Sequence, residues 1–218
     1  MRNLSRLEKP NILHRKDKIW TQEFENSEKT RPDNSKYGHI EIRNELHRIS
    51  FKKCFYSEVK FASETEGQVD HYIEVSEDKN LAFEWENLYL AHKDCNHGKP
   101  SNLSLPNSNT LNPFLDTDND IEEHLTFEDE FIISKNNSSK GLNTIKKYRL
   151  DKDIFCILRS KELSKFRNLL FQILQNMTEN NRKMNEIEKN ALNVFSQPDF
   201  PFSLMFRIHL KKYNLLNN

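Results

Sequence analysis

Between residues 67 and 100 the chain presents, in order, an acid and imidazole at Asp70-His71, an asparagine at Asn87 after an aromatic run, and the cluster His92-Lys93-Asp94-Cys95-Asn96-His97-Gly98-Lys99-Pro100. This order constrains the fold more tightly than any other stretch. Residues Gln68 to Ile73 predict a strand, and Leu81 to Leu90 predict an aromatic-rich strand and turn. A short helix should start near Lys93 and stop at Gly98-Lys99-Pro100, where glycine and proline both punctuate. Strand, strand and helix would then carry polar groups on facing edges. One chemistry uses that set: hydrolysis of a nucleic-acid phosphodiester by one divalent metal and one imidazole. His71 can accept a proton from water near neutral pH. Asp70 and Asn96 are hard oxygen ligands, and Asn87 can hydrogen-bond the backbone and hold the His71 loop in register.

Each of these residues also has a plainer reading. A single histidine on a strand is commonly a satisfied core residue, and an asparagine at a helix start is commonly a cap. The conjunction points to catalysis, with His71 as a general base worth typically ~10²–10⁴ in rate. Asp70 and Asn96 would hold Mg²⁺ or Mn²⁺ that keeps several waters, with His97 as the alternative ligand beside Asn96. Lys99 either touches phosphate or caps the end of the short helix.

Of the 218 residues, 35% are hydrophobic and 30% charged, and no run of eighteen apolar residues suggests a membrane span. The start, Met1-Arg2-Asn3-Leu4-Ser5-Arg6, lacks the apolar core of a secretory signal. Three cysteines, Cys54, Cys95 and Cys156, cannot pair completely. A reduced, cytoplasmic chain is expected. The formal net charge of zero hides a segregation: +5 over residues 1–60, −14 over 61–130 and +9 over 131–218. Basic flanks would grip a polyanion, while the acidic centre needs bound cations to tolerate a phosphate. The run Asp116 to Glu123 reads as a solvated acidic loop, with a partner-docking face as the alternative.

Residues 1–35 are polar with little periodicity beyond Ile12, Leu13 and Trp20, and are expected to form an irregular arm. Residues 36–135 form the expected nuclease core. It opens with a helix from Lys36, capped by Asn34 or Ser35, whose Ile42, Leu46 and Ile49 make one stripe. Leu103 to Pro113 reads as a loop, and Leu125, Phe127, Phe131 and Ile133 suggest a hairpin. After a break at residues 136–141, residues 136–218 read as a helical region. Asp151 would cap a long helix with apolar positions at Ile154, Leu158, Phe166, Leu170, Ile173 and Met177. A second helix is expected from about Arg182 to Phe195, and Pro201 would open a last one. Lys146, Lys147, Arg149, Arg159 and Lys161 either line a nucleic-acid path or lie on solvated faces. The fold class is α+β.

The order Asp-His, Asn, then Asn or His on a helix resembles the HNH endonucleases and their ββα-metal site. Further segments are similar to the HNH subunit of Septu-type anti-phage systems, also found beside retron reverse transcriptases. These are Ile42-Arg43-Asn44-Glu45-Leu46 running into Lys53-Cys54-Phe55-Tyr56-Ser57-Glu58, then Phe83-Glu84-Trp85-Glu86-Asn87-Leu88, and Leu111-Asn112-Pro113-Phe114. The resemblance covers roughly residues 36–160. It implies an HNH core with an N-terminal arm and a C-terminal helical part, and Asp70, His71, Asn87 and Asn96 as its catalytic set. It also implies cleavage to 5′-phosphate and 3′-hydroxyl ends, and an ABC/SMC-like ATPase partner in a defence complex. A retron reverse transcriptase would be a further partner. The family's proline and basic residue after the histidine are replaced here by Tyr72-Ile73-Glu74-Val75.

The same resemblance implies a structural zinc knuckle of two Cys pairs. Here Cys54 is followed by Ser57, and His92 stands before Cys95. Either Cys54, His92 and Cys95 hold Zn²⁺ with Glu58 completing the tetrahedron, or the knuckle has lost its metal and keeps two small buried cysteines. Two rival functions stay open at this level. One is an RNase, for instance one cutting tRNA, because such a site grips a phosphate and does not read a 2′-hydroxyl. The other is a non-catalytic zinc-knuckle module that binds nucleic acid or serves as a scaffold, which would have no need of a base.

Overall fold

The computed structural model describes residues 1–216. The segment expected to be an irregular arm is helical in its middle. Asn11–Glu25 forms a helix, α1, with Leu13 and Phe24 buried and Trp20 packed against the core. The spacing of Leu13, Trp20 and Phe24 is helical, but Asp17 interrupts the stripe. Asp17 is itself buried and paired with Lys9. The helix expected from Lys36 is two: α2 (Asn34–Tyr37), capped by Asp33, and α3 (Ile40–Ile49), capped by His39. Ile42, Leu46 and Ile49 of α3 are buried, as their stripe requires.

Gly67, at φ 81°, turns the chain into β1 (Gln68–His71). A Cβ there would press to 3.0 Å on Phe61 and Leu90, so glycine is required on both grounds. Two 3-10 turns, at residues 79–83 and 85–87, occupy most of the stretch expected to be strand and turn. β2 (Leu88–Ala91) then pairs antiparallel with β1, with Asp70 opposite Tyr89 and His71 opposite Leu88. The short helix α4 (Lys93–Asn96) follows, its start capped by the His92 side chain. It ends before Gly98, at φ 74°.

The run at Asp116 to Glu123 is not a solvated loop. Thr117 and Asp120 form a reciprocal capping box at the start of α5 (Asp118–His124). A hairpin of β3 (Leu125–Glu128) and β4 (Phe131–Ser134) follows. The helical region comprises α6 (Ser139–Tyr148), α7 (Asp153–Glu179), α8 (Glu186–Asn193) and α9 (Ser203–Lys212). Lys152, not Asp151, stands at the N-cap of α7. One cluster of buried side chains runs from Leu13 through Trp85 and Leu88 to Leu204 and Leu210. No described helix is long and apolar enough to cross a membrane.

Part of the charge segregation is consumed inside the fold. Arg2 makes two hydrogen bonds to the carboxylate of Asp118, at 2.9 and 2.7 Å. Lys140 pairs with Asp116 at 2.7 Å, Lys152 with Asp94 at 2.5 Å, and Arg207 and Lys211 both with Glu122. Some cations of the two basic flanks thus neutralise carboxylates of the acidic centre, which lowers the grip on a polyanion expected of them. Three of the five basic residues read as a nucleic-acid path are also engaged. Lys147 and Arg159 are buried and bond the carbonyls of Leu105 and of Glu130 and Leu150. Arg149 donates to the carbonyl of His97 at 2.8 Å.

Candidate active site

An open cleft of about 940 Å³ gathers Asp70, His71, Asn96, His97 and Lys99. Arg31, Tyr37 and Arg43, all from the N-terminal segment, also line it. Asn87 is buried beside the loop that follows His71 and does not line the cleft.

His71 ends β1, where the strand gives way to the loop at residues 72–76. Its Nε2 lies 2.9 Å from the carbonyl oxygen of Ala82. A carbonyl can only accept, so Nε2 carries the proton and Nδ1 keeps its lone pair. Tyr37 of α2 meets the imidazole edge-on at 4.8 Å between ring centroids. Burial lowers the pKa of His71, and the Ala82 carbonyl and the Asp70 charge oppose that only in part. The ring is therefore neutral at neutral pH, with one nitrogen held and the other able to take a proton.

Asn87 clamps the loop after His71. Its Oδ1 accepts from Ile73 N at 2.7 Å, and its Nδ2 donates to the carbonyls of Ile73 and Leu81 at 3.0 Å each. Its own carbonyl accepts from Tyr72 N at 2.9 Å. The side chain is 5% exposed, and three of its hydrogen bonds fix the segments that position His71 and the Ala82 carbonyl.

Asp70 is 4% exposed and fully engaged. The Lys99 ammonium lies 2.8 Å from each carboxylate oxygen and 3.1 Å from the His71 carbonyl, which satisfies its three protons. Tyr56 donates its hydroxyl to Asp70 at 2.8 Å. Neither expected role of Lys99 matches this arrangement: it neither caps α4 nor presents its charge to solvent. Asn96, at the end of α4, donates Nδ2 to Gln68 Oε1 at 3.1 Å and keeps Oδ1 as an acceptor. Gln68 and Asp70 share a face of β1, so α4 docks beside the acid. His97 is exposed at the rim.

Asp70 and Asn96 offer one carboxylate and one amide oxygen, a donor set that fits a hard divalent ion completed by water. The buried ammonium on Asp70 marks the same place as one that attracts a cation. The zinc knuckle fares differently. Cys54 and Cys95 face each other with their sulfurs 3.9 Å apart, close to the ~3.8 Å that two 2.3 Å Zn–S bonds at a tetrahedral angle require. Yet no group of three His, Cys, Asp or Glu side chains converges to hold a metal among the described residues. The Nδ1 of His92 accepts from Asp94 N as the α4 cap. Glu58 is bonded instead to Lys53, Ser203, Leu204 N and the Met1 amine. The cysteines satisfy each other: burial pushes the Cys54 thiol up, but hydrogen bonds from Cys95, Ser57 and His92 bring it down to about 6. The residues present do not fit a zinc tetrahedron.

Several contributors to the site carry no sequence signal of their own. Tyr56 lies 14 positions before the acid it bonds, and the Ala82 carbonyl belongs to an unremarkable residue. Gln68 was findable, two positions before Asp70 on the same strand face.

Residues 56–101 match the HNH endonuclease family, and they contain the two strands, the clamp and the short helix just described. This segment is an HNH endonuclease domain. The HNH domain also lies in a chain that is similar to a Septu protein PtuB from Bacillus thuringiensis, 30% identical over 118 residues. That alignment takes in 54% of this chain and 44% of the relative, so the chain spans less than half the length of the protein it matches. The likeness extends to no retron component.

Proposed function

We propose that the chain is a metal-dependent endonuclease that hydrolyses phosphodiesters in nucleic acid, with His71 as the general base. The observation that carries this is the imidazole itself. It is held in one tautomer by the Ala82 carbonyl, kept neutral by burial, and turned toward a cleft that also contains Asp70 and Asn96. A scaffold has no use for a pinned, neutral base.

Asp70 and Asn96 would hold Mg²⁺ or Mn²⁺, with His97 as the alternative neighbour. When bound, that ion supplies charge stabilisation on the scissile phosphate and the leaving oxygen. His71 Nδ1 takes the proton of the attacking water. The Asn87 clamp holds the His71 loop against the turn at residues 79–83, so the base keeps its aim through the reaction. Arg31 and Arg43 also line the cleft, Arg43 with its guanidinium bonded to the carbonyls of Glu64 and Glu66.

By its likeness to the Septu protein, the chain is proposed as the nuclease subunit of an anti-phage defence complex in the cytoplasm. An ABC/SMC-like ATPase is its proposed partner. Part of the basic charge is paired internally, so the chain alone has less long-range pull on nucleic acid, which fits an effector that is delivered to its substrate by a partner. The test is direct. Purified chain, with and without an ABC/SMC-like ATPase, is offered labelled DNA and RNA in Mg²⁺ and in chelator. Cleavage that requires the metal and grows with the partner is expected, and metal-independent cleavage or none in either setting would overturn the proposal.

A further inference from the structure

A second cavity, of about 440 Å³, adjoins the cleft and plays no part in the chemistry above. The two spaces share a wall. His71, Glu74 and Val75 line the cleft, while Tyr72 and Ile73, between them, line the second cavity. Ser101 and Asn102 divide in the same way. The Asn87 clamp grips this wall at Ile73. A strand whose phosphate lies at His71 can therefore run across this wall toward the cavity.

The lining suits a base. Tyr72 stacks on Tyr89 at 4.7 Å, Tyr89 on Tyr56 at 6.1 Å, and Tyr56 on Tyr148 at 3.9 Å, all within 15° of parallel. Tyr72 ends this stack at the cavity wall. Asn107, only 8% exposed, also lines the cavity. Its Nδ2 donates to the Tyr72 carbonyl at 2.5 Å, while its Oδ1 is buried without a donor. With no surface open to a water-sized group that oxygen is not itself a contact point, and Asn107 instead holds the Tyr72 backbone at the cavity wall.

We propose that this cavity is a nucleobase subsite. The base next to the scissile phosphate extends the tyrosine stack on Tyr72. A base in a duplex would first have to be unpaired and flipped out, which a single strand or a loop avoids, so the substrate proposed is a single strand, or a loop, at the cut. This inference rests on the endonuclease reading and adds the class of substrate.

The test measures binding in chelator, where no cleavage occurs. Fluorescein-labelled 12-nucleotide single-stranded DNA, single-stranded RNA and a DNA duplex are titrated with the unaltered chain, Ser108→Leu and Ser108→Ala. Ser108 is exposed and lines the cavity, so leucine narrows it and alanine is the control, with thermal melting as the check on folding. Single strands should bind Ser108→Leu about tenfold more weakly, the scale of one lost base–aromatic stack. Ser108→Ala and duplex binding should not change. The tighter of the two single strands identifies the sugar. Equal single-strand binding by all three proteins overturns the subsite. Cavity-dependent binding by a chain that cuts nothing in Mg²⁺ would instead overturn the endonuclease reading and leave the base site standing.

Discussion

The ammonium of Lys99 sits 2.8 Å from both carboxylate oxygens of Asp70, and the two side chains are 6% and 5% exposed. A desolvated ion pair of this kind occupies the carboxylate that a divalent ion would need. Metal binding must therefore draw Lys99 off Asp70, which frees a cation at the edge of the cleft. Lys99→Met should bind Mn²⁺ more tightly than the unaltered chain in an electron paramagnetic resonance titration. Without metal the same variant should lose about 3–5 kcal/mol of stability, because Asp70 is left buried with only the Tyr56 hydroxyl. Unchanged Mn²⁺ affinity would show that Lys99 and the metal do not compete.

Asn87 acts through backbone it holds. Asn87→Ala removes the buried bonds to Ile73 N, Ile73 O and Leu81 O. Each orphaned group costs about 1–3 kcal/mol, and roughly 2–4 °C of melting temperature accompanies each kcal/mol for a chain of this size. Cleavage should fall mainly in kcat, since the loop that aims His71 loosens while the phosphate-facing residues stay. A variant with normal melting and normal kcat would remove the clamp from the account.

Much of the strand, strand and helix core was legible because its signals are local. The short run from Gln68 marks β1, and Gly98 with Pro100 marks the end of α4. The hairpin at residues 125–134 was legible for the same reason. Helix α1 was not, because the buried Asp17 breaks its stripe and only the Lys9 partner, eight residues earlier, makes that tolerable. Helix α5 hid inside an acidic run whose Thr117-x-x-Asp120 box is the signal to look for. At the site, residue types and order brought five side chains to one cleft. What holds them was not visible: the Tyr56 hydroxyl, the Ala82 carbonyl and the burial of Lys99 are consequences of tertiary packing. Local charge counts misled for a related reason, since the flanking cations fold back onto the acidic centre.

Glu58 replaces a metal as the tie at the knuckle. Burial raises its pKa, but the charges of the Met1 amine, Lys53 and Arg2 outweigh that and hold it well below the usual carboxylate range. A carboxylate with a depressed folded pKa contributes stability that is complete above its unfolded pKa and is lost as pH falls toward the folded one. Stability measured by urea denaturation should therefore decline as pH drops below about 4.5. Glu58→Gln should flatten that decline while costing several kcal/mol at neutral pH, roughly the loss on breaking a buried pair. An acid limb identical in both proteins would place the titration elsewhere.

The knuckle predicts a clean separation of metal effects. With Glu58 and the His92 Nδ1 engaged elsewhere, elemental analysis should find zinc far below one per chain. A chelator should end cleavage without lowering the melting temperature. One zinc per chain, with melting lowered by the chelator, would restore the four-ligand knuckle.

In the proposed mechanism neutral imidazole is the working form of His71, and burial holds its pKa below the ordinary 6.5. The rate should be flat from this group above neutrality and fall as pH drops through that lowered value. The most direct test is the cleavage rate of His71→Ala against the unaltered chain at neutral pH in Mg²⁺, with melting temperature recorded for both. The expected result is a folded variant whose rate is lower by ~10²–10⁴. A folded variant that cuts at the unaltered rate would contradict the assignment of His71 as the base.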